Sequence, residues 1–314
     1  ARRVKVELRR WQLTADDSAG IALPDTRVGL FLRLIASMAS SQAAPIPLLA
    51  MLKHPLCSGG MTHEVFRDCV RELELSSLRG PRPAPGFQGI LQKLSLTSKS
   101  EKLGQWLQSI ASASECLLAL TSSSSVPLAD ILKSHVSFAE WLATDTNCSG
   151  AVRMWAEEDG ATANALLGEL IVAARETAPV CGREYSVIFD KLLADTVVRS
   201  TYTRQSQLHI WGPLEARLQQ ADLVIVGGLN EGIWPRHADS DAWLSRPMRQ
   251  SLGIPAPEQT VGLSAHDFSQ LFCAPNVVLT RSAKTAGTET VPCRWLVRLE
   301  AVLHSVGLAR RIDS

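Results

Sequence analysis

The stretch Ala221-Asp-Leu-Val-Ile-Val-Gly-Gly-Leu-Asn-Glu-Gly-Ile-Trp-Pro-Arg236 joins a short apolar run, a glycine pair and a polar rim. Leu223 to Val226 is apolar and partly β-branched, which suits a strand covered on both faces in a parallel α/β sheet. Gly227 and Gly228 stop it, since residues without a Cβ accept a tight turn and let another backbone or a ligand approach. Asn230 and Glu231 then fall at the carboxyl end of the strand, where open α/β sheets place their ligand crevices. Taken alone, the stretch fits equally well a strand followed by an ordinary loop.

The surrounding pattern extends this reading. Leu208 to Trp211 and Asn276 to Thr280 read as further strands, and Ala242 to Ser251, Ser264 to Phe272 and Arg294 to His304 as helices. Strands alternating with helices imply a parallel sheet, though three strands are few for an independent core. Towards the N-terminus, Val4, Leu8 and Trp11 mark one helix face, Asp16 to Gly20 a polar turn, and Val28 to Met38 a second helix. From residue 39 to about 200 the pattern is almost wholly helical. Leu48 to Lys53, Glu64 to Leu75, Leu103 to Leu120, Leu128 to Leu142 and Asn164 to Glu176 carry apolar residues at three- and four-residue spacing, separated by Pro, Gly and Ser clusters. No repeat of fixed length is visible. The expected organisation is therefore a discontinuous α/β domain, 1–38 with 200–314, interrupted by a helical domain, 39–199.

Composition narrows the class. Apolar residues make up 46% of the 314 positions and charged residues 20%, which excludes wholesale disorder. A net charge of +1 excludes a chain basic overall but leaves room for a local basic patch. Seven scattered cysteines without a Cys-x-x-Cys read as reduced thiols and argue against a zinc ribbon or iron–sulfur cluster. With no spanning apolar run and no signal peptide, a cytoplasmic location away from membranes is expected. The chain opens inside a helical pattern, as an internal piece of a longer protein would.

Familiar catalytic signatures are missing from the sequence. There is no Gly-Lys dipeptide and hence no P-loop, no Glu-x-Lys or Asp-x-Lys of the metal-dependent nuclease type, no Gly-x-Ser-x-Gly and no His-Glu-x-x-His. Three segments remain. Leu208 to Leu218 ends a strand at Gly212-Pro213 and exposes Glu215 and Arg217. The glycine turn is the second. The third, Val277 to Lys284, delivers Arg281 and Lys284 past a β-branched strand, where a guanidinium offers a planar fork to a phosphate or carboxylate. Each also fits a bland description, a turn with a solvated ion pair or a surface arginine after a strand.

In order and spacing, Pro213-Leu-Glu215, Gly228-Leu-Asn-Glu-Gly-Ile-Trp-Pro235 and Leu279-Thr-Arg281 resemble the last motor motifs of superfamily 1 DNA helicases. Trp243-Leu-Ser-Arg-Pro-Met-Arg249, Gly262-Leu-Ser-Ala-His-Asp-Phe268 and Pro292-Cys-Arg-Trp-Leu-Val-Arg298 narrow the resemblance to the AddB family of bacterial AddAB helicase-nucleases, in its alphaproteobacterial form. Leu8 to Leu34 and Leu49 to Pro55 are also similar to that family. The likeness is dense over 200–300, good over 1–60 and thin between.

The resemblance implies a RecA-like (P-loop NTPase-like) second motor domain of superfamily 1 type, interrupted by a mainly helical insertion. A P-loop domain would lie upstream and a nuclease domain downstream. It implies a role in DNA double-strand break repair and recombination, with DNA and an AddA-like subunit as partners. ATP and Mg would belong to the parent complex, with no catalytic or metal-binding residue in this chain. Arg281 would reach a nucleotide γ-phosphate and Glu215 would lie near the nucleotide. Working motors carry Lys-Gly where this chain has Gly212-Pro213, which fits a degenerate motor that grips DNA beside an active partner. The alternatives are a part of an active ATP-dependent motor and a helical adaptor without a nucleic-acid role. Candidate DNA contacts are Gly228, Asn230, Glu231, Trp234, Arg236, Trp243, Arg246, Arg249 and Lys284. Trp234 and Trp243 bracket the rim among arginines, the pairing of aromatic face and positive charge that sequence-tolerant strand binding uses.

Overall fold

The computed structural model describes residues 2–97, 101–199, 207–236 and 243–308. In chain order its elements are α1 (Arg2–Arg10), β1 (Asp16–Asp17), β2 (Ile21–Ala22), α2 (Arg27–Ser40), α3 (Pro45–Leu52), α4 (His63–Leu73), α5 (Gly86–Thr97), α6 (Glu101–Ser122) and α7 (Leu128–Ala143). There follow α8 (Gly150–Trp155), α9 (Glu158–Ala173), α10 (Tyr185–Ala194), β3 (Val197–Val198), β4 (His209–Ile210), β5 (Val224–Val226), α11 (Arg246–Ser251), α12 (Pro257–Phe272), β6 (Val277–Leu279), β7 (Lys284–Thr285), β8 (Thr288–Glu289) and α13 (Arg294–Ser305). The class is mixed helix and strand, broadly α/β, with helix predominating. Among the described residues no helix is long and apolar enough to cross a membrane. The elements form two compact units, Ala19–Gln205, and Ala1–Ser18 with Ser206–Ser314.

The helical unit is organised on α2. Thr26 starts that helix by accepting a hydrogen bond from the Gly29 amide at 3.1 Å, a side-chain N-cap. Gly29 is required there, because a Cβ would lie 1.7 Å from the Leu23 carbonyl oxygen. Val28, Phe31, Leu32, Ile35, Met38 and Ala39 are buried along α2, which packs on α3, α6, α7, α9 and α10. This corrects the boundary expected at residue 38. A helix that buries so many side chains among α3 to α10 belongs with them, so the first division falls after Ser18. The second expected boundary, residue 200, lies outside the described residues. Helices α5, α8 and α10 and a π-helical turn after α4, Glu74–Leu78, are additions to the sequence reading. The unit is closed at its base by β2 and β3, antiparallel with Ile21 opposite Val198 and Ala22 opposite Val197. Gly20, at φ +66°, leads into this pair where a Cβ would sit 2.6 Å from the Val198 carbonyl oxygen.

In the other unit, β5 and β6 are parallel, with Val224 opposite Val277, Ile225 opposite Val278 and Val226 opposite Leu279. A second parallel pair joins β1 to β4, Asp16 opposite His209 and Asp17 opposite Ile210, so the expected polar turn at Asp16 begins as a strand. The described residues of this unit thus hold two short parallel pairs and the hairpin β7–β8 rather than one continuous sheet. Val226, Leu229, Phe268 and Cys293 are buried together, backed by Leu271 of α12 and Trp295 and Leu296 of α13. The expectation that β5 is covered on both faces is corrected. Ile225 is 65% exposed and its cross-strand neighbour Val278 44%, so α12 and α13 cover only the alternate face.

Candidate functional site

The carboxyl ends of β5 and β6 bring two of the three sequence segments together. The Thr280 amide donates to the Val226 carbonyl at 2.9 Å, and the Leu229 amide returns a bond to the Thr280 carbonyl at 3.1 Å. Between them Gly228 adopts φ +74°, the left-handed region that favours glycine, and turns the chain across the end of β6. Arg281 emerges beside this turn, exposed, with its guanidinium donating to the neighbouring Ser282 carbonyl at 3.5 Å. Lys284 follows, exposed, on the hairpin strand β7.

Asn230 fixes the turn to its neighbour. Its amide nitrogen donates to the Ser282 carbonyl at 2.8 Å and to the Thr290 hydroxyl at 2.7 Å, and its amide oxygen accepts from the Ser282 N–H at 3.1 Å. It is 4% exposed. With both donors and an acceptor engaged inside the fold, it is an internal strut that holds both main-chain groups of the residue after Arg281. Glu231 is also engaged internally. Its carboxylate pairs with the Arg294 guanidinium and accepts from the Arg294 amide at 3.2 Å, at the α13 N-terminus, where the helix dipole favours a negative charge. That hydrogen-bonded pairing raises the Arg294 guanidinium further above its ordinary pKa.

The aromatic and basic candidates divide. Trp234 is half-buried, edge-on to Phe268 with ring centroids 6.4 Å apart, so it packs the small core. Trp243 is 89% exposed and presents its ring outward. Arg236 is exposed at the end of the glycine-turn loop. On α11, Arg246 pairs with Glu258 at 2.5 Å, and Arg249 donates to the Pro255 carbonyl at 3.2 and 3.4 Å. Both guanidiniums are held in place locally, Arg246 exposed and Arg249 half-buried.

The segment after β4 is arranged differently from the solvated Glu215–Arg217 pair that the residues also allowed. Glu215 is exposed and its carboxylate folds back over Gly212, where a Cβ would lie 2.4 Å from Oε2. Arg217 turns the other way and makes a two-pronged pair with Asp267 of α12, at 2.7 and 3.2 Å. Asp267 is only 6% exposed, and its bond to Arg217 raises the guanidinium pKa. The sequence reading missed Asp267. A signal existed, because Ser264, Asp267, Phe268 and Leu271 share one helical face, and an acid among packing residues demands a cation. His209 lies 3.7 Å from Asp16 and stacks on Trp211 at 5.4 Å, nearly parallel at 9°, in the packing role expected of a lone strand histidine.

Among the described residues no group of three or more His, Cys, Asp or Glu side chains is arranged to hold a metal ion. No family model matches the chain. It is similar to an uncharacterized protein of Rickettsia bellii (strain RML369-C), 27% identical over 146 residues, which cover 46% of this chain and 17% of that protein. The matched stretch therefore spans less than a fifth of that relative's length.

Proposed function

We propose that this chain is a DNA-binding and scaffolding portion of a cytoplasmic helicase-nuclease subunit of the AddB type, acting in double-strand break repair and recombination. In this reading the α/β unit is a RecA-like second motor domain, and the helical unit is its insertion. The observation that carries it is the juxtaposition at the ends of β5 and β6. A glycine turn at φ +74° lies beside an exposed arginine on a parallel strand pair, with the chain arriving there after a helical unit inserted between β1 and β4. Arg281 presents a planar fork suited to an anionic oxygen. Asn230 keeps its backbone in register by clamping Ser282.

The residues present do not fit a complete nucleotide site. Gly212-Pro213 stands where a working motor has a lysine-glycine pair, Glu215 is folded onto Gly212, and the sequence has no P-loop. No catalytic step is therefore assigned to this chain, and ATP and Mg would be held by the parent complex. Its own work is to bind and orient a DNA strand and an AddA-like partner. The exposed ring of Trp243, near Arg246 and Arg249 in sequence, is the element suited to an unstacked base, with stacking contributing about 1–3 kcal/mol per base.

The test is titration with single-stranded oligonucleotide, followed by fluorescence anisotropy, for wild type, Trp243→Phe and Arg281→Ala over a range of salt. Weaker binding in both variants and a steep fall with salt support the reading. Equal affinity in all three, or affinity indifferent to salt, refutes it. The exposure of Arg281 favours a second reading, part of an active ATP-dependent motor. That reading requires the chain to carry a DNA-stimulated ATPase which Arg281→Ala abolishes.

A further inference from the structure

A basic cluster on the helical unit lies outside everything assigned so far. It is built around the π-helical turn Glu74–Leu78 that follows α4. Lys53, capping the end of α3, places Nζ 2.7 Å from Glu74 Oε2, and Arg79 donates to Glu74 Oε1 at 2.9 and 3.3 Å. Lys93 of α5 reaches back to the same segment, donating to the carbonyls of Pro81 at 2.7 Å and Arg79 at 3.3 Å. Arg82, between Pro81 and Pro83, is exposed and makes no ion pair among the described residues. Three separate elements and a proline-stiffened loop therefore bring four cations to one place.

One carboxylate serves both Lys53 and Arg79. The Glu74 side chain is 16% exposed and lies beneath Lys53 and Arg79, whose own side chains are 51% and 67% exposed. Lys53 and Arg79 over Glu74 carry one net positive charge and the exposed Arg82 adds a second, a local excess on a chain whose net charge is only +1. Such an excess fits a polyanion. Among the described residues of the helical unit no aromatic ring is exposed, so bases have nothing to stack on, in contrast to Trp243 of the other unit. A surface with cations and no stacking platform suits a phosphate backbone whose bases are already paired.

We infer that Lys53, Arg79, Arg82 and Lys93 form a docking surface for the phosphate backbone of duplex DNA, separate from the strand-end rim of the α/β unit. This rests on the DNA-binding reading above and adds a second contact of a different kind. The carboxylate of Glu74 aligns Lys53 and Arg79 while lowering the attraction of the patch, so its removal and the removal of the cations act in opposite directions.

The experiment is anisotropy titration of the full chain with a blunt duplex and with single-stranded oligonucleotide at several salt concentrations. The proteins are wild type, the triple variant Lys53→Gln/Arg79→Gln/Arg82→Gln, Glu74→Gln and Arg281→Ala. The triple variant is expected to lose about tenfold in duplex affinity at low salt and to flatten the salt slope by about 2 to 3, since each phosphate contact contributes about 0.9. Glu74→Gln is expected to bind duplex more tightly than wild type, a gain that damage to the fold does not produce. Single-strand affinity is expected to change little in either. Duplex binding with wild-type affinity and slope in the triple variant, or unchanged or weaker duplex binding by Glu74→Gln, overturns the patch. If Arg281→Ala alone weakens binding in that case, the DNA reading survives without it. A wild-type chain that binds neither duplex nor single strand overturns both.

Discussion

Acidification should unfold the helical unit through one buried imidazole. His135 lies on α7, 1% exposed, with Nδ1 2.7 Å from the Tyr185 hydroxyl and its ring 4.8 Å from that of Phe189. Nε2 makes no well-formed hydrogen bond among the described residues, and the nearby Leu32 backbone offsets the burial only in part. Burial therefore pushes the pKa down to about 3. An unfolded histidine titrates near about 6.5, so as pH falls below that value the unfolded chain takes up a proton the folded one refuses. The stabilisation from a neutral His135 is complete above about pH 6.5 and is lost as pH falls towards about 3, at about 1.4 kcal/mol per pH unit. Between pH about 6.5 and about 4.5 the loss is about 3 kcal/mol. His54, stacked on Phe31 at 5.0 Å and lowered to about 4 by burial and then by Arg27, acts in the same direction. The assay is urea unfolding followed by far-UV circular dichroism across this range, for wild type and for His135→Phe/Tyr185→Phe. The double variant removes both polar partners together and keeps His54. Its stability should fall with pH less steeply than wild type by about 1.4 kcal/mol per unit. Parallel curves for the two proteins would refute the reasoning.

Three further outcomes can be checked. Asn230→Ala removes the side-chain acceptor of the Ser282 N–H, while the Ser282 carbonyl keeps the Thr290 hydroxyl as a donor, which should destabilise the α/β unit by about 1 kcal/mol and speed amide exchange at Ser282; unchanged exchange there argues against the strut. Asp267→Asn removes the charged partner of Arg217, so limited proteolysis should begin in the 212–220 loop while the helical unit stays resistant. Thiol labelling of the native chain should modify the exposed Cys116, Cys148 and Cys273 quickly and leave Cys57 and Cys293 untouched until denaturant is added. Burial holds the Cys57 thiol well above its ordinary pKa, and native-state labelling of it would contradict its packing.

The sequence disclosed helices better than strands, for a physical reason. Long amphipathic segments such as Leu103 to Leu120 and Leu128 to Leu142 repeat their apolar residues often enough to be read, and they appear as α6 and α7 within a few residues. The pairing of Asp16 with His209 rests on backbone hydrogen bonds between segments far apart in sequence, and side-chain pattern does not report it. The boundary after residue 38 misled because the periodicity of α2 does not say what its apolar face packs on; its burial against α3, α6, α7, α9 and α10 decides. At the candidate site, the glycine turn and the residues after β6 were legible, because positive φ and strand ends leave a mark in composition. The division of the rim was not. Asn230 and Trp234 look like exposed polar and aromatic residues in sequence, yet the partners that draw them inward, Ser282, Thr290 and Phe268, come from later segments.

The parallel pairing of β1 with β4 has a consequence for synthesis. Asp16 leaves the ribosome long before His209, with the whole helical unit made in between. At about 5–20 residues per second the first strand waits roughly 10–40 s for its partner. The helical unit, whose chain ends are already stitched by β2 and β3, has everything it needs to fold during that interval. The α/β unit is the late product of the chain. Until β4 emerges, the basic helix α1 and its following strand are tethered to a folded body without their strand partner, which leaves this segment open to capture by a chaperone or a protease.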